Sequence, residues 1–300
     1  MGRLSKRAAA AHREACALVQ LRRELCEDEK LFVLANFQES SFSGQSAEGV
    51  FFTPAGLARD MSIEVVGRRL IDLGAGIGRL AFTCRDLWGR ANGEPDRELV
   101  CVERNPVFVR VGRKVLPEAR WLCGDLLRVH LERMPLFDTA IANPPFGAVA
   151  RNCDAPGYRG PRFEYHAITV AARVARHGVF LIPQSSSPFR YSGQPRMRDG
   201  CADAQYQRFH AATGITLDPS CGIDTSVYRD DWHHPAVATE VVTCDFTSFV
   251  TGRESWPSPT PHFVGRLTTS RQPPTARWPG RRCPPLPRDL FEEIFRYGCL

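Results

Sequence analysis

The chain has 300 residues, 43% hydrophobic and 24% charged, with a formal net charge of +6. Such a length and balance fit a soluble globular protein with one large domain and appendages, and exclude a small disulfide scaffold. Lysine occurs only at Lys6, Lys30 and Lys114, so arginine carries the positive charge; its planar fork of donors suits phosphate, although codon bias in a GC-rich genome explains the ratio at least as well, so the charge permits nucleic acid without demonstrating it.

Apolar positions recur at helical spacing through Leu18, Leu21, Leu25, Leu31 and Leu34, predicting helix over residues 5–36. A polar loop follows over 37–50. Thr53 is placed to cap a helix that has Pro54 at its start and runs through 57–66. Strands and helices then alternate: a strand at 69–73, a glycine turn at 74–78 and a helix at 80–88; a strand at 99–103 and a helix at 106–115; strands at 119–123 and 137–142; a helix at 164–176; and a strand at 178–182. Residues 215–217 and 237–246 are expected to close the sheet as an antiparallel pair. This alternation predicts a mostly parallel, doubly wound sheet. Residues 251–288 are rich in Pro and Arg and have no periodicity, so a tail without its own packed core is expected. Residues 289–297 can form one or two amphipathic turns.

Two motifs carry chemistry. Asp72-Leu73-Gly74-Ala75-Gly76-Ile77-Gly78 places three alternating glycines between a strand and a helix, where the backbone can turn tightly and a ligand can approach closely. A glycine turn alone would serve a dinucleotide equally well. The Gly-x-Gly-x-Gly spacing and the preceding Asp72 favour S-adenosyl-L-methionine, whose ammonium end that carboxylate can reach directly or through water. Glu103 ends the second strand, where a carboxylate can accept from both ribose hydroxyls. Asp125 follows the third strand and can accept from an adenine amino group or cap a helix.

Asn143-Pro144-Pro145-Phe146 follows the fourth strand, on the sheet edge where ligands bind in open α/β folds. The Asn143 amide and the Pro144 carbonyl can both accept from one exocyclic amine. Pro144 and Pro145 stiffen the loop, and Phe146 offers a face on which a base can stack. Arg151, Arg159 and Arg162, in and beside a 147–161 segment read as mobile and substrate-facing, can contact phosphates, although a solvated loop explains each one more simply. Trp232 and His233 suggest a structural or substrate-contact role, since no third ligand accompanies the paired histidines. Eleven cysteines include no Cys-x-x-Cys pair and no zinc-spaced cluster, which points to reduced thiols and no metal.

The Asn-Pro-Pro-Phe loop, preceded by the glycine turn and by Phe51-Phe52-Thr53-Pro54, resembles the N6-adenine DNA methyltransferases in which the cofactor motif comes first. The resemblance spans roughly residues 51–246. It implies an α/β, Rossmann-like class I methyltransferase fold: a mostly parallel seven-stranded sheet with an antiparallel edge strand. It implies a site-specific enzyme in which Asn143, Pro144, Pro145 and Phe146 are catalytic, with Phe52, Thr53, Pro54, Asp72, Gly74, Gly76, Gly78, Glu103 and Asp125 binding S-adenosyl-L-methionine. The Phe-Thr-Pro element would line the methionine end. The implied reaction is methylation of adenine N6 in DNA with base flipping. Ribosomal RNA adenine and protein glutamine are alternative substrates, and an inactive nucleic-acid-binding homologue is the non-enzymatic alternative. The expected organisation is an N-terminal helical segment (1–45), a methyltransferase domain (46–250) and a poorly ordered tail (251–300). Only the 147–235 insertions and the Pro/Arg-rich tail are available to read a sequence in place of the family's large target-recognition domain, so a short recognition site, a separate specificity subunit as partner, or an RNA substrate are the expected alternatives. With no signal-peptide core and no membrane-length apolar run, a cytoplasmic location is expected.

Overall fold

The computed structural model describes residues 5–38, 51–132, 134–233 and 237–250, apart from the side chain of Trp88. Among these residues, seven strands form one sheet in the order β3-β2-β1-β4-β5-β7-β6. They are β1 (Arg69–Leu73), β2 (Glu98–Glu103), β3 (Arg120–Cys123), β4 (Phe137–Ala142), β5 (Ala175–Pro183), β6 (Asp218–Pro219) and β7 (Thr239–Asp245). β1 to β5 run parallel, and β7 is antiparallel to β5. The reversed strand expected at the edge is β7, bordered only by the two-residue β6.

The period-two alternation of a strand divides its side chains between two core layers. Leu70, Cys101, Ile141, Val179 and Val241 face one layer, together with residues from α1 (Lys6–Gln20), α2 (Glu27–Asn36), α3 (Ala55–Met61), α4 (Arg79–Thr83) and α6 (Pro106–Val115). Ile71, Leu73, Val100, Val102, Ala140, Phe180 and Val242 face the other, against α7 (Phe163–Ala171), α8 (Ala204–Thr213) and the 3-10 helix Leu126–Leu131. Burial on both faces explains why the central strands read as continuous apolar runs.

Several boundaries differ from the sequence expectation. The single helix expected over 5–36 is two helices. Leu21 leaves the helical region with ψ of 140°, and its carbonyl accepts from Lys114 Nζ at 2.6 Å. Glu29 then restarts the helix by accepting from the Cys26 N–H at 2.9 Å. The helix expected over 80–88 breaks into α4 and α5 (Leu87–Ala91). Thr83 Oγ1 bonds back to the Arg79 and Leu80 carbonyls, and Asp86 Oδ1 accepts from the Gly89 N–H at 2.8 Å, capping α5. The helix expected over 57–66 is α3 followed by a 3-10 turn, Ser62–Glu64, and its N-cap is Pro54, not Thr53. The helix expected over 164–176 stops at Ala171, because residues from Ala175 onward pair with β4, beginning at Phe137. Residues 215–217 are not strand; the pairing falls at Asp218 and Pro219. α8 was not anticipated, although its ends carry signals: Asp203 caps Gln205 and Tyr206, and Gly214 stops it at φ 72°. The tail expected over 251–300 lies outside the described residues.

Candidate active site

The carboxyl ends of β3, β2, β1 and β4 lie side by side. They deliver Asp125, Glu103, the glycine turn and Asn143 to the rim of one cavity of about 270 Å³. The lateral order of the strands thus sets the order of the chemistry along the cavity.

In the glycine turn, Gly74 and Gly76 adopt φ of 81° and 55°, a region costly for other residues. The N–H groups of Gly74 and Ala75 donate to the Val102 carbonyl at 2.9 and 3.0 Å. A Cβ at Gly76 would stand 3.0 Å from the Phe52 ring, so the turn and the upstream aromatic fit only without a side chain there. Gly78, at φ 92°, packs against Trp121 and lies outside the cavity lining.

Glu103 receives the Gly76 N–H on Oε2 at 2.9 Å and the Asn105 N–H on Oε1 at 2.8 Å. Burial pushes its pKa up, and those backbone donors oppose the shift. Each oxygen keeps capacity to accept a further hydroxyl. Asp125 Oδ1 accepts from the Leu127 N–H at 2.9 Å, capping the 3-10 helix, while the residue also lines the cavity.

Asp72 stands behind the turn. Strand alternation directs it toward α4, where Oδ2 accepts from the Ala81 N–H at 3.1 Å and Oδ1 is buried without a partner. Burial raises its pKa to about 7; the Ala81 N–H opposes the rise and neighbouring Glu103 adds to it.

Asn143 is the most tightly specified polar group at the β4 end. Its Nδ2 donates to the Phe51 carbonyl at 2.9 Å and to Thr53 Oγ1 at 3.0 Å. Both amide protons are thereby committed, and this network assigns the remaining oxygen, Oδ1, as the acceptor. Thr53, 4% exposed, therefore orients Asn143 instead of capping α3. Phe52 and Pro145 line the cavity; Pro54 and Pro144 are buried and do not. Phe146 is half-buried against the first core layer, outside the cavity lining.

Residues 147–161, expected to be mobile, are pinned to α7. Glu164, fully buried, accepts from the Gly147 N–H at 2.8 Å and from Ser186 Oγ at 2.7 Å. His166, also fully buried, accepts the Ala155 N–H on Nδ1 at 3.0 Å and donates from Nε2 to the Gly160 carbonyl at 2.8 Å. Burial lowers its pKa, in keeping with a neutral ring protonated at Nε2. His166→Ala is expected to destabilise the fold by about 2–3 kcal/mol, since two loop groups lose their partner. It should also admit trypsin at Arg151 and Arg159, and an unchanged limited-proteolysis pattern would refute that role. Of the three arginines read as phosphate contacts, Arg151 pairs with Asp154 at 2.7 Å and lines the cavity. Arg162 is committed to Asp203 and Tyr165, and Arg159 is exposed.

The sequence reading missed the arginines of the cavity wall as a group: Arg79 and Arg104 join Arg151 there. Arg79 directly follows the third glycine, which was the available signal. Trp232 meets Phe51 edge-on with ring centroids 6.4 Å apart, and His233 Nε2 lies 3.3 Å from the Ala35 carbonyl. No metal-ligating cluster occurs among the described residues, whose cysteines are free thiols. No helix among them is long and apolar enough to cross a membrane.

No protein-family model matches the sequence, and no curated protein matches it. Among solved structures, the chain is similar to the methyltransferase subunit of a type I restriction-modification system from Streptococcus thermophilus. Identity is 15%, the TM-score is 0.49, and 73% of this chain and 48% of that one are covered. It is also similar to TrmN from Thermus thermophilus, with 13% identity, a TM-score of 0.36 and coverage of 76% and 51%. A TehB-like SAM-dependent methyltransferase from Corynebacterium glutamicum gives 17% identity, a TM-score of 0.38 and coverage of 63% and 86%. The chain spans about half the length of the first two. On its strand order, its single reversed strand and its glycine turn at the carboxyl edge, the chain has the Rossmann-like fold of the class I methyltransferases.

Proposed function

We propose that the chain is an S-adenosyl-L-methionine-dependent N-methyltransferase that methylates adenine N6 in DNA. The observation that carries this reading is the Asn143 amide, whose two protons are spent on Phe51 and Thr53 so that only an acceptor remains beside the cavity. An exocyclic amine conjugated to a ring is a poor nucleophile. Acceptors that take its hydrogens favour a tetrahedral nitrogen and aim its lone pair, which is catalysis by positioning and electrostatics. Asn143 Oδ1 would fill that role from the cavity wall, with the Pro144 carbonyl proposed as the second acceptor although Pro144 itself is buried outside the lining.

The residues present also fit the cofactor. Gly74 and Gly76 leave a cradle without Cβ atoms, and Glu103 offers both carboxylate oxygens to ribose hydroxyls. Asp125 Oδ2 is available to an adenine amino group, whereas Asp72 is buried behind the turn and outside the cavity lining, with burial holding its carboxyl toward the protonated form. When bound, S-adenosyl-L-methionine supplies an activated methyl group. Phe146, half-buried against the first core layer and outside the cavity lining, is proposed to offer its remaining face to a base swung out of a duplex. A separate specificity subunit is the proposed partner for site recognition. A cytoplasmic setting accords with such a substrate.

Incubation with methyl-labelled cofactor and duplex DNA, single-stranded DNA, ribosomal RNA or release factor tests the reading. N6-methyladenine in DNA is the expected product. Label confined to RNA or to protein glutamine would replace the proposed substrate, and no binding of S-adenosyl-L-methionine would indicate a non-catalytic protein.

A further inference from the structure

We infer that Arg79 is a carboxylate-binding residue, which recognises the α-carboxylate of the bound cofactor's methionine moiety from the wall of the cavity. The inference rests on the cofactor reading above and adds a contact that neither the glycine turn nor the acidic strand ends provide.

Three observations converge on it. Arg79 lines the cavity on the segment that continues the β1 glycine turn. By strand order, β1 lies between β2, which ends in Glu103, and β4, which leads to Asn143, so the segment carrying Arg79 starts between those two residues. Its guanidinium is anchored from behind: Nη2 donates to the Leu34 carbonyl, in the last turn of α2. Its Nε is buried and has no hydrogen-bond partner. A buried donor left unmade is costly, and no carboxylate forms an ion pair with this arginine among the described residues. Arg151, by contrast, has already committed its guanidinium to Asp154 and the Gly160 carbonyl. Burial lowers the Arg79 pKa only to about 10, so it stays cationic at neutral pH.

The complementarity is specific. The acids lining this cavity, Glu103 and Asp125, suit the cationic and hydroxyl-bearing parts of the ligand but not its carboxylate. A planar arginine that lines the cavity and has no carboxylate partner among the described residues supplies the missing charge. Through the Leu34 contact, α2 also fixes the guanidinium before the ligand arrives.

The test is isothermal titration of the full chain with S-adenosyl-L-methionine and with its decarboxylated analogue, which lacks only the carboxylate. The wild-type chain is expected to prefer the carboxylated ligand. Arg79→Met should weaken binding of S-adenosyl-L-methionine by roughly 10- to 100-fold while leaving the analogue's affinity unchanged. Arg79→Lys should retain part of the preference. Because both ligands are measured on one sample, the ratio of affinities is insensitive to a change in folded fraction. An equal loss for both ligands would overturn the assignment and make Arg79 a clamp on α2. Failure of the wild-type chain to bind either ligand would overturn the cofactor reading itself, and the assignment with it.

Discussion

Asn143→Ala is expected to lower kcat for methyl transfer at least about 100-fold while the Kd for S-adenosyl-L-methionine changes by less than about threefold. The split follows from the geometry. The glycine turn and Glu103 are held by contacts between β1 and β2, and none of these passes through Asn143. What the variant loses is the acceptor aimed at the amine. Thr53→Val provides a graded control: it removes one of the two acceptors that fix the amide and should cost about tenfold in kcat with little change in KM. Single-turnover rates with calorimetric cofactor binding check both variants. Activity surviving in Asn143→Ala would sink the catalytic assignment.

Asp72→Asn is expected to remove the loss of stability that this one carboxyl imposes between about pH 4 and pH 7. Burial lifts this carboxyl from its ordinary 3.8 to about 7, so the folded chain resists ionising it. Below pH 4 it is neutral in both states and costs nothing. As pH rises toward 7, the unfolded chain releases the proton and the folded chain does not, so stability falls. Above 7 the penalty is complete, on the order of 4 kcal/mol. Asparagine keeps the acceptor for the Ala81 N–H but places an unpartnered amide donor at the other position, which returns about 1–3 kcal/mol of the gain. The net result at pH 8 is a variant more stable than wild type by about 1–3 kcal/mol. Urea unfolding of both proteins at pH 5 and pH 8 measures this, and parallel pH dependence in the two would refute it.

The fold was legible wherever local pattern and tertiary demand agreed. β1 and α6 fall at the predicted residues because apolar runs, the Asn105 cap and Pro106 all point the same way. Legibility failed where a distant side chain decided the outcome. Nothing local announces that Lys114 will take the Leu21 carbonyl and split the first helix, or that pairing with β4 will claim residues from Ala175 onward. In the site, the glycine turn, Glu103, Asp125 and Asn143 were legible because each follows a strand in sequence. Arg79 was not, because its meaning lies in its burial and its unpaired Nε. The loop after Pro145 read as mobile because its composition is Gly, Pro and Arg. The residues that pin it, Glu164 and His166, sit in an otherwise apolar helix and show their purpose only once it packs.

Asn143 is aimed by a carbonyl and a hydroxyl 92 and 90 positions earlier in the chain. Closing a loop of that length carries an entropic cost that contacts between neighbouring strand ends do not bear. An excursion that lifts residues 51–53 away from β4 frees the amide to rotate, yet leaves Glu103 and the glycine turn bonded to each other. On the proposed function, residues 51–53 and β4 must meet before the amide is aimed, and because Phe52 and Thr53 also line the cavity the same meeting completes its wall.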